Sequence, residues 1–366
     1  MEYRALGKTG LKVSAIGLGS AQLGSPNTEY AVRMVHRALE LGVTFFDTAR
    51  SYWDSEVKLG LALQGQREKV VISTKTGKKT REDAWREINE SLERLRTDYL
   101  DNIHLHGLEL GEDLNQRLGP GGALEALLQA KEQGMARHVG CTSHRSVVLL
   151  EALKRFDFEV ILVPMNIVER DPLLELIPLC QQKDVGVTIM KPLATGLLPA
   201  PLALKWLLNQ PIAAAVPGMT SLEELESIAA VFREGYELTA AEQAAVDSQK
   251  ETLEHVRCRI CGLCEPCPQG IDIGSILGTD VTYDHYRSMG ADTFRSFPWS
   301  RVRIEEEVAD RQKTIAAIES CTRCGQCEPK CPHGLPIVDM LQSMLPAMRE
   351  MLAMHQEALR SGTLAP

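Results

Sequence analysis

The chain has 366 residues, a formal net charge of −9, 44% hydrophobic and 24% charged residues, and only 5% aromatics. These proportions fit a globular protein with a mainly aliphatic core. The acidic balance excludes a nucleic-acid surface and a basic patch for anionic lipid, and no apolar run approaches the ~18 residues of a membrane span. The start, MEYRALGKTG, has no apolar stretch that would direct secretion, so a cytoplasmic location with reduced thiols is expected.

Short β-branched, apolar runs then alternate with longer amphipathic stretches. The runs are KVSAIGLG (12–19), GVTFFDT (42–48), KVVISTK (69–75), YLDNIHLH (99–106), RHVGCT (137–142), VILVPMN (160–166), VGVTIMK (185–191) and IAAAVPG (212–218). Between them lie helical patterns such as TEYAVRMVHRALELG, where Ala31, Val32, Val35, Ala38 and Leu39 share one face. In SLEELESIAAVF, Ser221 and Glu224 form a capping-box pair. Eight strand–helix units with nearly continuous apolar strands predict an all-parallel α/β sheet closed into a (β/α)8 TIM barrel. A doubly wound open sheet is the alternative. It wants G-x-G-x-x-G after the first strand, and GLGSAQLG does not supply that spacing.

Near residue 236 the alternation stops. LTAAEQAAVDSQKETLEHV is helical, opening with a second capping pair, Thr239 and Glu242. Two cysteine-rich runs follow without further strand patterns, and the tail carries Met340, Met344, Met348, Met351 and Met354 at helical spacing, as a packing face does. The expected division is a barrel over 1–245 and a small, mainly α-helical iron–sulfur domain over 246–366.

Parallel barrels place their chemistry at the C-terminal ends of the strands. There the sequence puts Asp47, Lys75 and His106 at the ends of the second, third and fourth strands, with Tyr52 on the loop after Asp47. A phenol donates a proton poorly at neutral pH unless a cation stabilises its phenolate. Lys75 supplies that cation, and Asp47 would hold the lysine charged and in place. His104, two residues before His106, faces the same side of its strand. It reads either as a barrel-interior histidine or, with Trp53, as part of the substrate pocket, to which the loop GLELGEDLNQRLGPGG (107–122) also contributes.

MEYRALGKTGLKVSAIGLG, FFDTARSYWDSE, the strand-end lysine and DYLDNIHLHG resemble, in order and spacing, segments of the aldo-keto reductases, and the likeness covers nearly all of residues 1–235. The resemblance implies Tyr52 as general acid, Lys75 and Asp47 as its supporting pair, and His106 as the substrate-orienting group. It implies a nicotinamide cofactor, NADP or NAD, whose phosphate end meets a helix N-terminus in AVPGMTSLEELE, at Gly218, Thr220, Ser221 and Glu224. Thr142 and Ser143 match the residues that hold the nicotinamide amide, and Asn166 faces the cofactor. Gly19 and Ser20 at the first strand end, with Lys191, Pro192 and Leu193 of MKPL, complete the cofactor set. Lys191 stands where many relatives place an aromatic, and relatives with an iron–sulfur tail resemble this version.

Eight of the ten cysteines fall in two tight runs. The second, CTRCGQCEPKCP, spaces Cys321, Cys324, Cys327 and Cys331 as C-x2-C-x2-C-x3-C-P. The first, CRICGLCEPCP, holds Cys258, Cys261, Cys264 and Cys267 and has one residue fewer before its last cysteine. Thiolates so spaced in a reducing compartment point to [4Fe–4S] clusters, with structural zinc as the rival. In two-cluster ferredoxins the cysteine before the proline ligates the other cluster. That assigns Cys258, Cys261, Cys264 and Cys331 to one cluster, and Cys321, Cys324, Cys327 and Cys267 to the second. Cys141 and Cys180 read as core residues.

The function expected is an oxidoreductase moving hydride between a nicotinamide and a small carbonyl or alcohol. Its clusters would relay single electrons to a redox partner protein or sense redox state. Two other readings stay open: an electron-transfer module docked on a barrel platform, and an enzyme whose clusters act directly on the barrel-bound substrate.

Overall fold

A hairpin of β1 (Tyr3–Ala5) and β2 (Lys12–Ser14) opens the chain and drives Leu6 and Val13 into a core with Phe45, Val71, Val160, Ala213 and Ala214. The structure, a computed structural model, describes residues 1–24, 27–278 and 304–361. It divides into two compact units, Met1–Lys250 and Glu251–Pro366.

In the first unit β3 (Leu18–Gly19), β4 (Phe45–Asp47), β5 (Val71–Thr76), β6 (Leu100–Leu105), β7 (Ala136–Thr142), β8 (Val160–Pro164), β9 (Gly186–Met190) and β10 (Ala214–Ala215) form one parallel eight-stranded sheet in sequence order. Parallel bridges Ile16↔Ala215 and Gly19↔Gly218 join its two edges. The expected (β/α)8 barrel is thus the fold. The hairpin packs on residues at the strand starts, which leaves the strand ends that carry Asp47, Lys75 and His106 at the opposite end.

The first strand differs from the sequence expectation: Lys12–Ser14 pairs with β1, and the stretch that pairs with β4 is only Leu18–Gly19. The reason lies in Ser14. Its Oγ accepts from Thr44 N at 2.9 Å and donates to Ile16 O at 2.7 Å. A side chain thereby takes the place of ladder bonds, and the ladder resumes at Leu18.

Helices cover the sheet: α1 (Thr28–Glu40), α2 (Ser55–Ala62), α3 (Arg81–Leu95), α4 (Glu112–Leu118), α5 (Ala123–Glu132), α6 (Ser146–Arg155), α7 (Leu176–Lys183), α8 (Ala200–Leu208) and α9 (Leu222–Glu234). Caps define the starts of two of them. Asn27 caps α1 by accepting from Tyr30 N at 2.8 Å, and the buried stripe is Ala31, Met34, Val35 and Ala38, with Met34 taking a place expected of Val32 or Leu39. Thr80 caps α3, which buries Ala84, Ile88, Ser91 and Leu95 and stops where Arg96 turns left-handed at φ 53.

At the strand starts Asp101, 1% exposed, binds Arg67 at 2.8 Å and Arg137 at 3.1 Å. Both guanidiniums stack on the Tyr99 ring, at 3.9 and 4.0 Å from its centre. This clamp ties the strand starts, at the end away from Asp47 and Lys75.

Helix α10 (Ala240–Leu253) starts at the expected capping box, where Thr239 N donates to Glu242 Oε2 at 2.9 Å and Thr239 Oγ1 accepts from Glu242 N at 3.2 Å. The second unit holds α11 (Ile273–Gly278), α12 (Ile304–Glu319), α13 (Ile337–Ser343) and α14 (Leu345–Ser361). Its core joins Ile271, Ile273, Ile276, Ile315, Ile318 and Leu341. Met344, Met348, Met351 and Met354 are buried, so the methionine stripe is a packing face. Residues 279–303, between the cysteine runs, lie outside the described residues. No helix among the described residues is long and apolar enough to cross a membrane.

Candidate active site and cysteine cluster region

Asp47 is the last residue of β4, Lys75 the fifth of β5, and His106 follows β6, so neighbouring strand ends bring them together. The Lys75 side chain has no exposed surface. Its Nζ donates to Asp47 Oδ1 and to Thr48 O, both at 2.6 Å. It also stands 5.0 Å from the centre of the Tyr52 ring. His106 meets that ring edge-on, with centroids 5.7 Å apart, and its Nδ1 lies 3.4 Å from Ser51 Oγ.

Burial works against every charge here. It lowers the ammonium of Lys75, but Asp47 and then Tyr52 outweigh it and hold Lys75 above the ordinary lysine value. Burial pushes the Tyr52 phenol up; Lys75 opposes this, Asp47 adds to it, and burial wins. The phenol is therefore a loaded proton donor through neutral pH. Its neighbour Lys75 eases the charge that appears on the oxygen once the proton leaves. His106 is pushed down to about 3 by burial and then by Lys75. His104, 1% exposed, is likewise pushed to about 3 by burial, with Lys75 and His106 adding to it. Both imidazoles are neutral hydrogen-bonding groups at pH 7. Among the described residues the buried Asn102 Oδ1 reaches no hydrogen-bond partner. Gly140 makes room for the His104 ring: a Cβ there would stand 2.9 Å from His104 Cε1.

Three supporting residues carry no sequence expectation. Arg117, 2% exposed on α4, donates to His106 O at 2.8 Å and Thr76 O at 3.1 Å, fixing the ends of β6 and β5. Glu56 is fully buried, accepting from Thr74 Oγ1 at 2.7 Å and from Arg94 Nε at 3.1 Å. Arg94 also donates to Trp53 O. Glu56 stands inside the conspicuous stretch YWDSE. The burial of Arg117 and the half-burial of Arg94 have no local signal, because only the tertiary fold encloses them.

The residues expected at the cofactor lie at the same end, and most of their polar groups are already engaged. Gly19 N donates to Pro217 O at 2.9 Å, where a side chain would strike Val216 O. Ser20 O accepts from Ser55 Oγ at 2.7 Å. Thr142 Oγ1 accepts from Gly107 N at 2.8 Å, and Ser143 Oγ donates to Leu108 O at 2.8 Å, so both pin the loop after β6. Asn166 donates to Glu169 at 2.9 Å and to Lys191 O at 3.2 Å, while its Oδ1 accepts from Val168 N and Glu169 N. Its amide orders the loop and offers no spare donor. Lys191 is half-buried at φ 54, followed by buried Pro192 and half-buried Leu193. The Gln22 amide sits over Gly218, 2.3 Å from where a Cβ would stand. Ser221 Oγ accepts from Glu224 N at 3.1 Å, and Glu224 Oε2 accepts from Thr220 N at 2.7 Å. The first turn of α9 is thus closed by its own carboxylates, and Glu223 is held below the ordinary glutamate range by the helix backbone and then Ser221.

In the second unit none of the eight cysteines of the two runs is joined in a disulfide. Cys264 is pushed up to about 12 by burial first, and then by Cys258, Glu265 and Cys261. Cys327 is raised by burial, with Glu328, Cys267 and Cys321 adding to it. Cys267 of the first run therefore lies near Cys321 and Cys327 of the second. One cleft is lined by Cys264, Cys267, Cys321, Cys324 and Cys327. The two runs repeat each other's backbone: Ile260 and Arg323 sit at φ 53 and 55, Gly262 and Gly325 at 72 and 69. Among the described residues no three ligand groups have already closed on a metal position. The fit to two clusters rests on thiol chemistry, spacing and neighbourhood. Cys141 and Cys180 are buried and apart from these runs, and their thiols are raised by burial.

Residues 15–200 match the Aldo/keto reductase family. The chain belongs to that family. Residues 257–335 match the 4Fe-4S dicluster domain, so this aldo-keto reductase carries a ferredoxin-type extension. It is 39% identical over 217 residues to L-galactose dehydrogenase of Arabidopsis thaliana, covering 54% of this chain and 67% of that one. It is 30% identical over 212 residues to the uncharacterized oxidoreductase YqkF of Bacillus subtilis, with the same coverage of 54% and 67%. Among solved structures, the holo form of the aldo-keto reductase AKR11C1 from Bacillus halodurans superposes with a TM-score of 0.60 at 28% identity, over 68% of this chain and 96% of that one. The thermostable aldo-keto reductase Tm1743 in complex with epalrestat gives 0.59 at 27% identity, over 68% and 100%. The protein is an oxidoreductase of this family, and its cysteine runs belong to a domain type that holds 4Fe–4S clusters.

Proposed function

We propose that this aldo-keto reductase transfers hydride between a nicotinamide dinucleotide and a small carbonyl or alcohol, with Tyr52 as the proton donor and acceptor. The observation that carries this is the buried Lys75 ammonium, bonded to Asp47 at 2.6 Å and facing the Tyr52 ring. Lys75 stabilises the phenolate left after proton transfer, Asp47 fixes Lys75, and the neutral His106 orients the substrate oxygen. No side chain donates hydride; the nicotinamide supplies it when bound. Gly19, Ser20, Thr142, Ser143, Asn166, Lys191, Pro192, Leu193 and Gly218 shape the cofactor groove, in part by ordering its loops. Thr220, Ser221 and Glu224 form its phosphate end. The carboxylates closing α9 there favour NAD over NADP.

Trp53 and His104 line the substrate side. The relationship to L-galactose dehydrogenase supports dehydrogenase chemistry on an alcohol or its carbonyl. We assign Cys258, Cys261, Cys264 and Cys331 to one [4Fe–4S] cluster and Cys321, Cys324, Cys327 and Cys267 to the other. The cleft that Cys267 lines together with Cys321, Cys324 and Cys327 supports that exchange. Bound clusters supply one-electron transfer, which the hydride step does not need. They suit a redox partner protein in the reducing cytoplasm.

The test is Tyr52→Phe in the full chain. Turnover should fall by roughly 10²–10⁴-fold with nicotinamide binding kept, because the phenol acts in the transition state. Near-normal turnover would remove Tyr52 from the role.

A further inference from the structure

The residue after the catalytic phenol is Trp53, and its backbone sits at φ 53, where a bulky L-residue is an outlier. Glycine takes this conformation without strain. An ionic clamp between half-buried Arg94 and buried Glu56 holds the indole-bearing residue there instead. The Trp53 carbonyl accepts from Arg94, Arg94 Nε donates to Glu56 Oε2 at 3.1 Å, and Glu56 Oε1 accepts from Thr74 Oγ1 at 2.7 Å. Thr74 precedes Lys75, so the clamp is anchored on the strand that carries the catalytic cation. Backbone strain held by its surroundings beside a reactive group is the pattern of a functional constraint. The ring itself is only half-buried, so the core does not account for it.

We propose that Trp53 is a specificity-determining residue whose indole face stacks on the ring of a neutral cyclic polyol, an aldopyranose, beside Tyr52. This rests on the hydride-transfer function proposed above and names its substrate class. A pyranose has an apolar C–H face for an aromatic wall and a polar rim for hydrogen bonds. The neighbours match the rim: Ser51 Oγ is exposed beside His106 Nδ1, and His106 offers a neutral imidazole. The cations of this end hold other partners, Lys75 with Asp47, Arg94 with Glu56, Arg117 with Asp113 and Arg145 with Glu109. That set of pairs suits a neutral substrate better than an acid.

The experiment compares full-chain, cluster-loaded wild type with Trp53→Gly, Trp53→Ala and Trp53→Phe. The kcat/KM values are measured for L-galactose, glyceraldehyde and benzaldehyde with NAD(H) and NADP(H), together with the barrel's melting temperature. Trp53→Gly should lower the sugar-to-glyceraldehyde ratio by about tenfold, mainly through the sugar's KM, and Trp53→Phe should restore most of it. Trp53→Gly should also melt about 2–4 °C above Trp53→Ala, since both lack the indole and only glycine relieves the strain. An unchanged sugar ratio, a loss falling on benzaldehyde instead, or equal melting of the two variants would overturn the proposal. A wild type that turns over glyceraldehyde but shows those results loses only this inference. One that turns over no substrate with either nicotinamide loses the hydride-transfer function as well.

Discussion

Lys75 Nζ donates to Asp47 Oδ1 at 2.6 Å from a side chain with no exposed surface, so the two charges compensate each other inside the barrel mouth. Breaking such a pair from one side leaves a buried charge uncompensated, which costs about 3–5 kcal/mol. Lys75→Met should therefore lower the unfolding free energy by about that amount as well as cutting turnover. Asp47→Asn should cost a similar amount, because it leaves the buried Lys75 ammonium without its counter-charge, and should slow turnover as that ammonium loses its anchor. Chemical denaturation of both variants with a rate assay checks this. Wild-type turnover in either would break the link between the pair and the phenol.

Acid should unfold the barrel through its histidines. His104 and His106 are pushed from 6.5 to about 3, so the folded state resists the protons that the unfolded chain accepts. Folded values below unfolded ones place the stabilisation above about pH 6.5 and remove it as pH falls toward 3. Unfolding near pH 5 should take up about two protons at these sites. His104→Gln should flatten the melting temperature against pH between 4 and 7, and a slope equal to wild type would exclude His104 as a source.

The cysteine runs predict a brown protein with about eight iron and eight sulfide per chain after anaerobic purification. Removal of the iron should loosen the second unit, whose core includes Cys264. Cys267→Ser should damage the cluster held by Cys321, Cys324 and Cys327, and Cys331→Ser the other. Electron paramagnetic resonance separates the two, and losses on the opposite sides would reject the exchange. Stoichiometric zinc without sulfide would reject the clusters.

Cofactor choice should respond to the first turn of α9. Glu223, exposed there, carries no bond to Thr220, so Glu223→Lys reverses a charge while leaving the Thr220–Glu224 contact intact. The kcat/KM ratio of NADPH to NADH should rise by about two- to fivefold. No change would place the extra phosphate elsewhere.

The barrel was legible because its strands are buried on both faces and read as apolar runs; Val71–Thr76 and Leu100–Leu105 are buried throughout. The meeting of Asp47, Lys75 and His106 at neighbouring strand ends was legible because those residues close their apolar runs, and Tyr52 follows Asp47 by five residues. The short β3 was not, since the Ser14 hydroxyl replaces backbone pairing in a stretch that still looks like a strand. Arg94 and Arg117 were hidden for a related reason. An arginine reads as a surface residue until distant carbonyls, Trp53 O for one and His106 O for the other, enclose its guanidinium. The amide of Asn166 shows the converse: a residue chosen for a ligand is spent on Glu169 and Lys191 O.

Isotope transfer tests hydride delivery most directly. Nicotinamide deuterated at C4 of the reduced ring is mixed with the full chain and an aldehyde, and the alcohol product is analysed by mass spectrometry and NMR. Direct transfer predicts deuterium on the new carbinol carbon, on one face only, in a single turnover. Product hydrogen drawn from solvent, with the label lost, would contradict it and make the clusters the electron donors to the substrate.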